Sequence, residues 1–248
     1  MRKNEDAPIV IEDLRKSFGE QKVLNGIDLA VHSGKTLAVL GRSGTGKSVL
    51  LKLIVGLQKP DAGSIRVLGQ EIAKLDPDRL NDVRKKIGFL FQSAALYDSL
   101  TVEENVAFPL ARHSSMSEAE RKSRARELLS AVGMESGLEK LPSQISGGMQ
   151  KRVGLARALA LDPVILLFDE PTAGLDPITA AEIGRLIVEQ QKQRNITSVV
   201  VTHEIHSAKL FADRFVLMNE GKILADGAFE DLRKSRDTFV AEFLREAA

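Results

Sequence analysis

"GRSGTGKS", Gly41 to Ser48, decides how the rest of this chain is read. It fits G-x-x-x-x-G-K-[ST], after an apolar run "TLAVL" (36–40) and before a helical run "KSVLLKLIVGL" (47–57). Glycines let successive backbone N–H groups turn inward as an anion nest. The start of the following helix adds its positive end. In such a loop Gly41, Arg42, Ser43, Gly44, Thr45 and Gly46 wrap phosphates, Lys47 reaches the β and γ phosphates, and Ser48 ligates Mg2+. The bland alternative is a Gly-rich turn followed by a chance Lys-Ser; a strand before and a helix after favour the phosphate loop.

Outward from that loop, strands and helices alternate. "IVIEDL", "GIDLAV" and "TLAVL" read as strands, "GSIRVLGQEI" as strand and turn, and "DPDRLNDVRKK" as a short polar helix. "IGFLF" reads as a buried strand, and from about Thr101 to Leu159 the period is helical throughout. "VILLF" (164–168) and "SVVVT" (198–202) are strands around a helix at 177–193, and "RFVLMNEGKILADG" reads as a hairpin. Alternation of this kind predicts an α/β fold with a mostly parallel sheet covered on both faces. The stretch near 93–158 looks like a helical insertion into that core.

Composition narrows the partners. The 248 residues carry 35 Lys+Arg against 34 Asp+Glu, a balance that disfavours nucleic acid as the main partner. With no cysteine there is neither a disulfide framework nor a thiolate metal site. The opening "MRKNEDAPIV" has no apolar core of signal-peptide length, and no run approaches the roughly 18 apolar residues of a membrane span. The cytosol is the expected compartment.

Three strand ends then draw attention. "VILLFDEP" (164–171) finishes in two adjacent carboxylates, which repel each other unless a cation sits beside them. Mg2+ with a nucleotide answers that need: Asp169 holds the metal and Glu170 accepts a proton from an attacking water. His203, after "VVVT", lies in reach of the same γ-phosphate region, and Gln92, after "IGFLF", offers an amide oxygen for Mg2+ and for water. A strand-end His is more often structural, and an acid pair also occurs where a strand fades into a polar loop. Phe18, in "LRKSFGEQ", can stack on adenine or belong to the core.

One more stretch, "PSQISGGMQKRVGLARALA" (142–160), opens a helix with Ser146, Gly147 and Gly148 before an apolar face of Met149, Val153, Ala156 and Ala160. A capped helix needs the serine but not two glycines. Phosphate loop, Gln, helical insertion, Ser-Gly-Gly, acid pair, "AGLD" and His, in that order, resemble the nucleotide-binding domains of ATP-binding cassette (ABC) proteins. The resemblance covers residues 9–233. It implies a P-loop NTPase core with an antiparallel β part, a nucleotide-binding domain over 1–235 whose helical subdomain spans about 93–158, and a short helical tail over 236–248. It also implies ATP and Mg2+ as cofactors and two copies facing head to tail, Ser146, Gly147 and Gly148 of one serving the nucleotide of the other, with Asp176 a further cofactor-binding residue. Two departures stand out. The usual Leu-Ser-Gly-Gly-Gln reads "ISGGM" here, and "AGLD" (173–176) replaces Ser-Ala-Leu-Asp.

"SGGMQKRVGLARALALDP", "GRSGTGKSVLLK", "LTVEENVAFPL" and "DEPTAGLDPI" look most like the Mla branch (maintenance of lipid asymmetry), ATPases of phospholipid transport. That likeness implies transmembrane permease subunits, a lipid-binding protein, in some systems a small cytosolic regulatory subunit, and a peripheral place on the cytoplasmic side of the inner membrane. ATPases of other importers or exporters, for amino acids for example, and non-transport ABC ATPases remain alternatives. In the tail, Phe239, Val240, Phe243 and Leu244 form one helical stripe that should dock, either on its own domain or on a partner.

Overall fold

The computed structural model describes residues 6–246, with Glu246 placed by its backbone alone. Expectations for residues 1–5 and 247–248, the start of the leader reading and the end of the tail, lie outside the described residues.

The antiparallel part comes first. β1 (Ile9–Phe18) pairs with β2 (Gln21–Val31) on one side and with β4 (Ala62–Val67) on the other, and β5 (Gln70–Glu71) closes the edge. Alternation along these strands shows that one face is buried, but it does not name the partner strand. The antiparallel part that the family resemblance implies is therefore present, as a separate four-stranded sheet whose pairing alternation alone does not specify.

The second sheet holds β6 (Ile87–Leu90), β7 (Ile165–Asp169), β8 (Thr197–Thr202), β3 (Thr36–Leu40), β9 (Arg214–Asn219) and β10 (Lys222–Gly227), in the order β10-β9-β3-β8-β7-β6. All of its pairings are parallel except the β9–β10 hairpin. β3, β7 and β8 are buried at every position, as strands covered on both faces must be. Successive residues go to opposite layers. Leu37 and Val39 face α1 (Lys47–Ile54) and the antiparallel sheet; Ala38 and Leu40 face the helical side.

The expected continuous helical period from 101 to 159 is broken in the structure. α3 (Val102–His113) and α4 (Glu118–Ser130) each start at a reciprocal cap, Thr101 with Glu104 and Ser117 with Glu120. A non-helical stretch follows α4, Pro142–Gln144 makes a single 3-10 turn, and α5 (Gly147–Ala158) begins only after Ser146. Proline and the Ser cap terminate the run locally, which an averaged periodicity hides. α2 (Pro77–Arg84), α6 (Pro177–Arg194), α7 (Ile205–Phe211) and α8 (Phe229–Arg233) complete the layers. α9 (Thr238–Glu246) docks on its own chain: Val240, Phe243 and Leu244 are buried in the core shared by the helical side of the sheet. Among the described residues no helix is long and apolar enough to cross a membrane.

Candidate functional site

The site forms where β3, β6, β7 and β8 end on the same edge of the sheet. After Leu40 the chain turns through Gly41–Gly46 into α1, and Gly46 itself is the N-cap, with φ 96° and no side-chain cap bond. A Cβ there would meet the Val23 carbonyl at 2.9 Å, so only glycine allows the loop to close this tightly. The first-turn amides of α1 are therefore left for an anion, and no acid in that turn competes with one.

Lys47 lies buried under the loop. Its Nζ donates to the carbonyls of Gly41 at 2.7 Å and Arg42 at 3.0 Å, and stands 3.9 Å from Glu170 Oε1. Burial pushes its pKa down, while the charges of Glu170 and Asp169 oppose that shift. Ser48 Oγ donates to Asp169 Oδ1 at 2.8 Å, which places the two expected metal ligands side by side. Together with the Gln92 amide they make an all-oxygen donor set. That suits Mg2+, which takes one or two carboxylates and completes its shell with water and phosphate oxygens.

Glu170 follows β7 in a left-handed backbone conformation, φ 49°, rare for a residue with a Cβ and costing about 1–2 kcal/mol. Its N–H donates to the Val201 carbonyl at 2.9 Å, and its carboxylate contacts His203 Nδ1 at 3.0 Å. A cavity of about 390 Å³ is lined by Phe18, Val23, Ser43, Gly44, Gly46, Lys47, Ser48, Val49, Gln92, Glu170 and His203. Phe18 is thus an exposed wall, 46% accessible, and not a core residue. Val23 and Val49 add apolar walls that the sequence pattern did not single out.

Other expected contacts lie outside this cavity. Thr45 Oγ1 donates to the Arg42 carbonyl inside the loop, and the Arg42 guanidinium sits 5.3 Å over the Phe239 ring of α9. Ser146 and Gly147 are exposed, and the Ser146 hydroxyl accepts from the Met149 N–H at 3.3 Å. Gly148 answers to its own chain: a Cβ there would strike Thr179 Cγ2 at 2.6 Å. Met149 packs against the core of the helical side. The Asp176 carboxylate caps α6, accepting from the N–H groups of Ile178 and Thr179, both at 3.0 Å, and from the Thr179 hydroxyl at 2.5 Å.

Two lysines, Lys47 and Lys151, stand close enough to feel the charges of both Glu170 and Asp169. Lys151 of α5 is buried and donates to the Glu170 carbonyl at 3.0 Å. Periodicity does not point to it, because a lysine on the inward face of a helix contradicts the apolar period that defines that face.

Similarity to known proteins agrees with this geometry. The sequence profile of the ABC transporter family matches residues 24–173. The methionine import ATP-binding protein MetN of Brucella abortus is 43% identical over 89% of this chain, which spans 60% of that relative's length. The intermembrane phospholipid transport system ATP-binding protein MlaF of Haemophilus influenzae is 39% identical over 96% of this chain and 90% of its own. Among solved structures, a dimeric post-hydrolysis state of the ATP-binding cassette MJ0796 bound to ADP and phosphate superposes with a TM-score of 0.82. It is 35% identical, covering 89% of this chain and 98% of that one. The chain belongs to the ABC transporter family, with the fold of that family's ATPase cassette.

Proposed function

We propose that this chain hydrolyses ATP as the energy-supplying subunit of a phospholipid transport system. The observation that carries the reading is the single cavity that gathers the phosphate loop, Gln92, Glu170 and His203. The amides of Gly44–Lys47 and the Lys47 ammonium bind the phosphates, and Phe18 stacks on the base. Mg2+, held by Ser48, Asp169 and Gln92, would offset phosphate charge. Glu170 accepts the proton of the attacking water, and His203 holds the Glu170 carboxylate in place.

Ser146 and Gly147 are exposed at the start of α5 and do not line the chain's own cavity. They suit a nucleotide held by a second copy, and Asp176 orders the loop beside them. Closure of two copies on ATP, and release after hydrolysis, would drive separate transmembrane permease subunits through the region near Gln92 and Ala94–Asn105. A peripheral place on the cytoplasmic side of the inner membrane follows. A lipid-binding protein and a small regulatory subunit belong to the same proposal. The "ISGGM" and "AGLD" stretches and the likeness to MlaF support phospholipid cargo; identity to MetN makes methionine import the second reading.

Sedimentation of Glu170→Gln tests the pairing. ATP should shift the chain to dimer and ADP should not, because reversing a 1:99 population takes about 5.5 kcal/mol of differential binding that only a γ-phosphate shared by both copies would supply. Equal dimer fractions with the two nucleotides contradict it. Reconstitution with the co-purifying permease separates the cargoes: phospholipid should stimulate hydrolysis and methionine should not.

A further inference from the structure

Helix α5 carries two cations that both grip the loop leaving β6. Lys151 Nζ donates to the Gln92 carbonyl at 2.6 Å and to the Glu170 carbonyl at 3.0 Å. Six residues on, the Arg157 guanidinium donates to the carbonyls of Ala94 at 2.6 Å and Ala95 at 2.7 Å. The loop they hold is locally strained, with Ala94 at φ 59° and Ala95 at φ 47°, both left-handed.

Lys151 is only 5% exposed. Burial lowers its pKa, and Glu170, Asp169 and Glu204 push the other way. A buried ammonium is costly unless its N–H groups are matched. An apolar residue at this inward position would avoid that cost, so the lysine points to a task other than packing. The carbonyls it joins belong to two residues already placed in the cavity, one after β6 and one after β7.

We propose that Lys151 is a positioning residue for ATP hydrolysis: by holding the Gln92 and Glu170 carbonyls together it fixes the left-handed backbone of Glu170 and makes its alignment depend on the seating of α5. The proposal rests on the reading of the cavity as an ATPase site. Its geometry also gives a short mechanical path. Ser146 stands at the exposed start of α5, five residues before Lys151, or about 7.5 Å along a helix rising 1.5 Å per residue. A displacement of that start by a second copy, or of the 92–95 loop by a permease, is passed to the Glu170 peptide through one side chain.

The test compares Lys151→Met, which keeps the length and loses the donors, with Lys151→Gln, which keeps an NH₂ with less reach. Melting temperature, ATP affinity, KM and kcat are measured for each. The Met variant should bind ATP and show a KM within twofold of wild type while kcat falls at least tenfold. The Gln variant should be at least threefold faster than Met and threefold slower than wild type. Combining Lys151→Met with Glu170→Gln should be no slower than Glu170→Gln alone, since both act on one group. A Met variant turning over within twofold of wild type, or a Gln variant no faster than a folded Met variant, overturns the proposal. If Met does not fold, Gln decides alone: lowered kcat at unchanged KM and affinity supports it, and wild-type kcat or a parallel loss of affinity overturns it. An inactive wild type, or a fully active Glu170→Gln, would instead sink the ATPase reading itself.

Discussion

Glu170 Oε1 and His203 Nδ1 meet at 3.0 Å, a buried carboxylate against a half-exposed imidazole on the neighbouring strand end. The His203 N–H also points at Glu170 Oε2, at 3.4 Å. The carboxylate is therefore held from two directions at the mouth of the cavity, with its backbone fixed in a left-handed turn. In the proposed role as general base, a carboxylate held in this way needs little reorganisation before it takes a proton.

Replacing His203 by Ala removes the ring contact and leaves the phosphate loop intact. Turnover of ATP should fall by about 10²-fold on the scale of proton-transfer partners, with nucleotide affinity within twofold. Steady-state hydrolysis measured beside nucleotide titration checks this. Equal loss in both quantities would show that His203 supports binding and not the base.

The tail gives a stability prediction. Phe243 is 5% exposed and stacks against Phe239, with 6.2 Å between ring centroids. Phe243→Ala should cost about 3 kcal/mol by lost burial and the cavity left behind. For a chain of this size that lowers Tm by about 6–12 °C. A monomer whose melting temperature barely moves would mean that α9 serves another chain and not its own core.

Asp176 supplies the pH dependence. The Thr179 hydroxyl and the first amides of α6 hold its carboxyl below the ordinary value of 3.8. A depressed carboxylate stabilises the fold above its unfolded pKa and loses that contribution as pH falls through the folded pKa. Asp176→Ala should therefore melt below wild type at pH 7, and the gap should close as pH falls below the ordinary carboxylate value of 3.8 and on through the lower folded-state value. A gap that keeps its full size through the acid range would show that the cap's charge is not what matters.

Much of the site was legible because its parts are contiguous in sequence. Gly41–Ser48 is a strand–loop–helix motif in eight residues, and Asp169, Glu170 and His203 finish apolar runs whose buried character is plain. What the sequence hid depends on partners far along the chain. Lys151 breaks the apolar face of α5 because its charge is matched by carbonyls from Gln92 and Glu170. A Cβ on Gly148 would strike Thr179, a residue outside the stretch that carries the glycine. The separate sheet of β1, β2, β4 and β5 depends on pairing that alternation cannot specify.

On the proposed mechanism, the Glu170 carboxylate removes the proton in ATP hydrolysis. Single-turnover hydrolysis of γ-labelled ATP by Glu170→Gln, with Mg2+ present and bound nucleotide quantified in the same samples, tests it directly. Cleavage slowed by about 10²–10⁴-fold with full nucleotide occupancy is the predicted result. Cleavage at the wild-type rate at equal occupancy would contradict it.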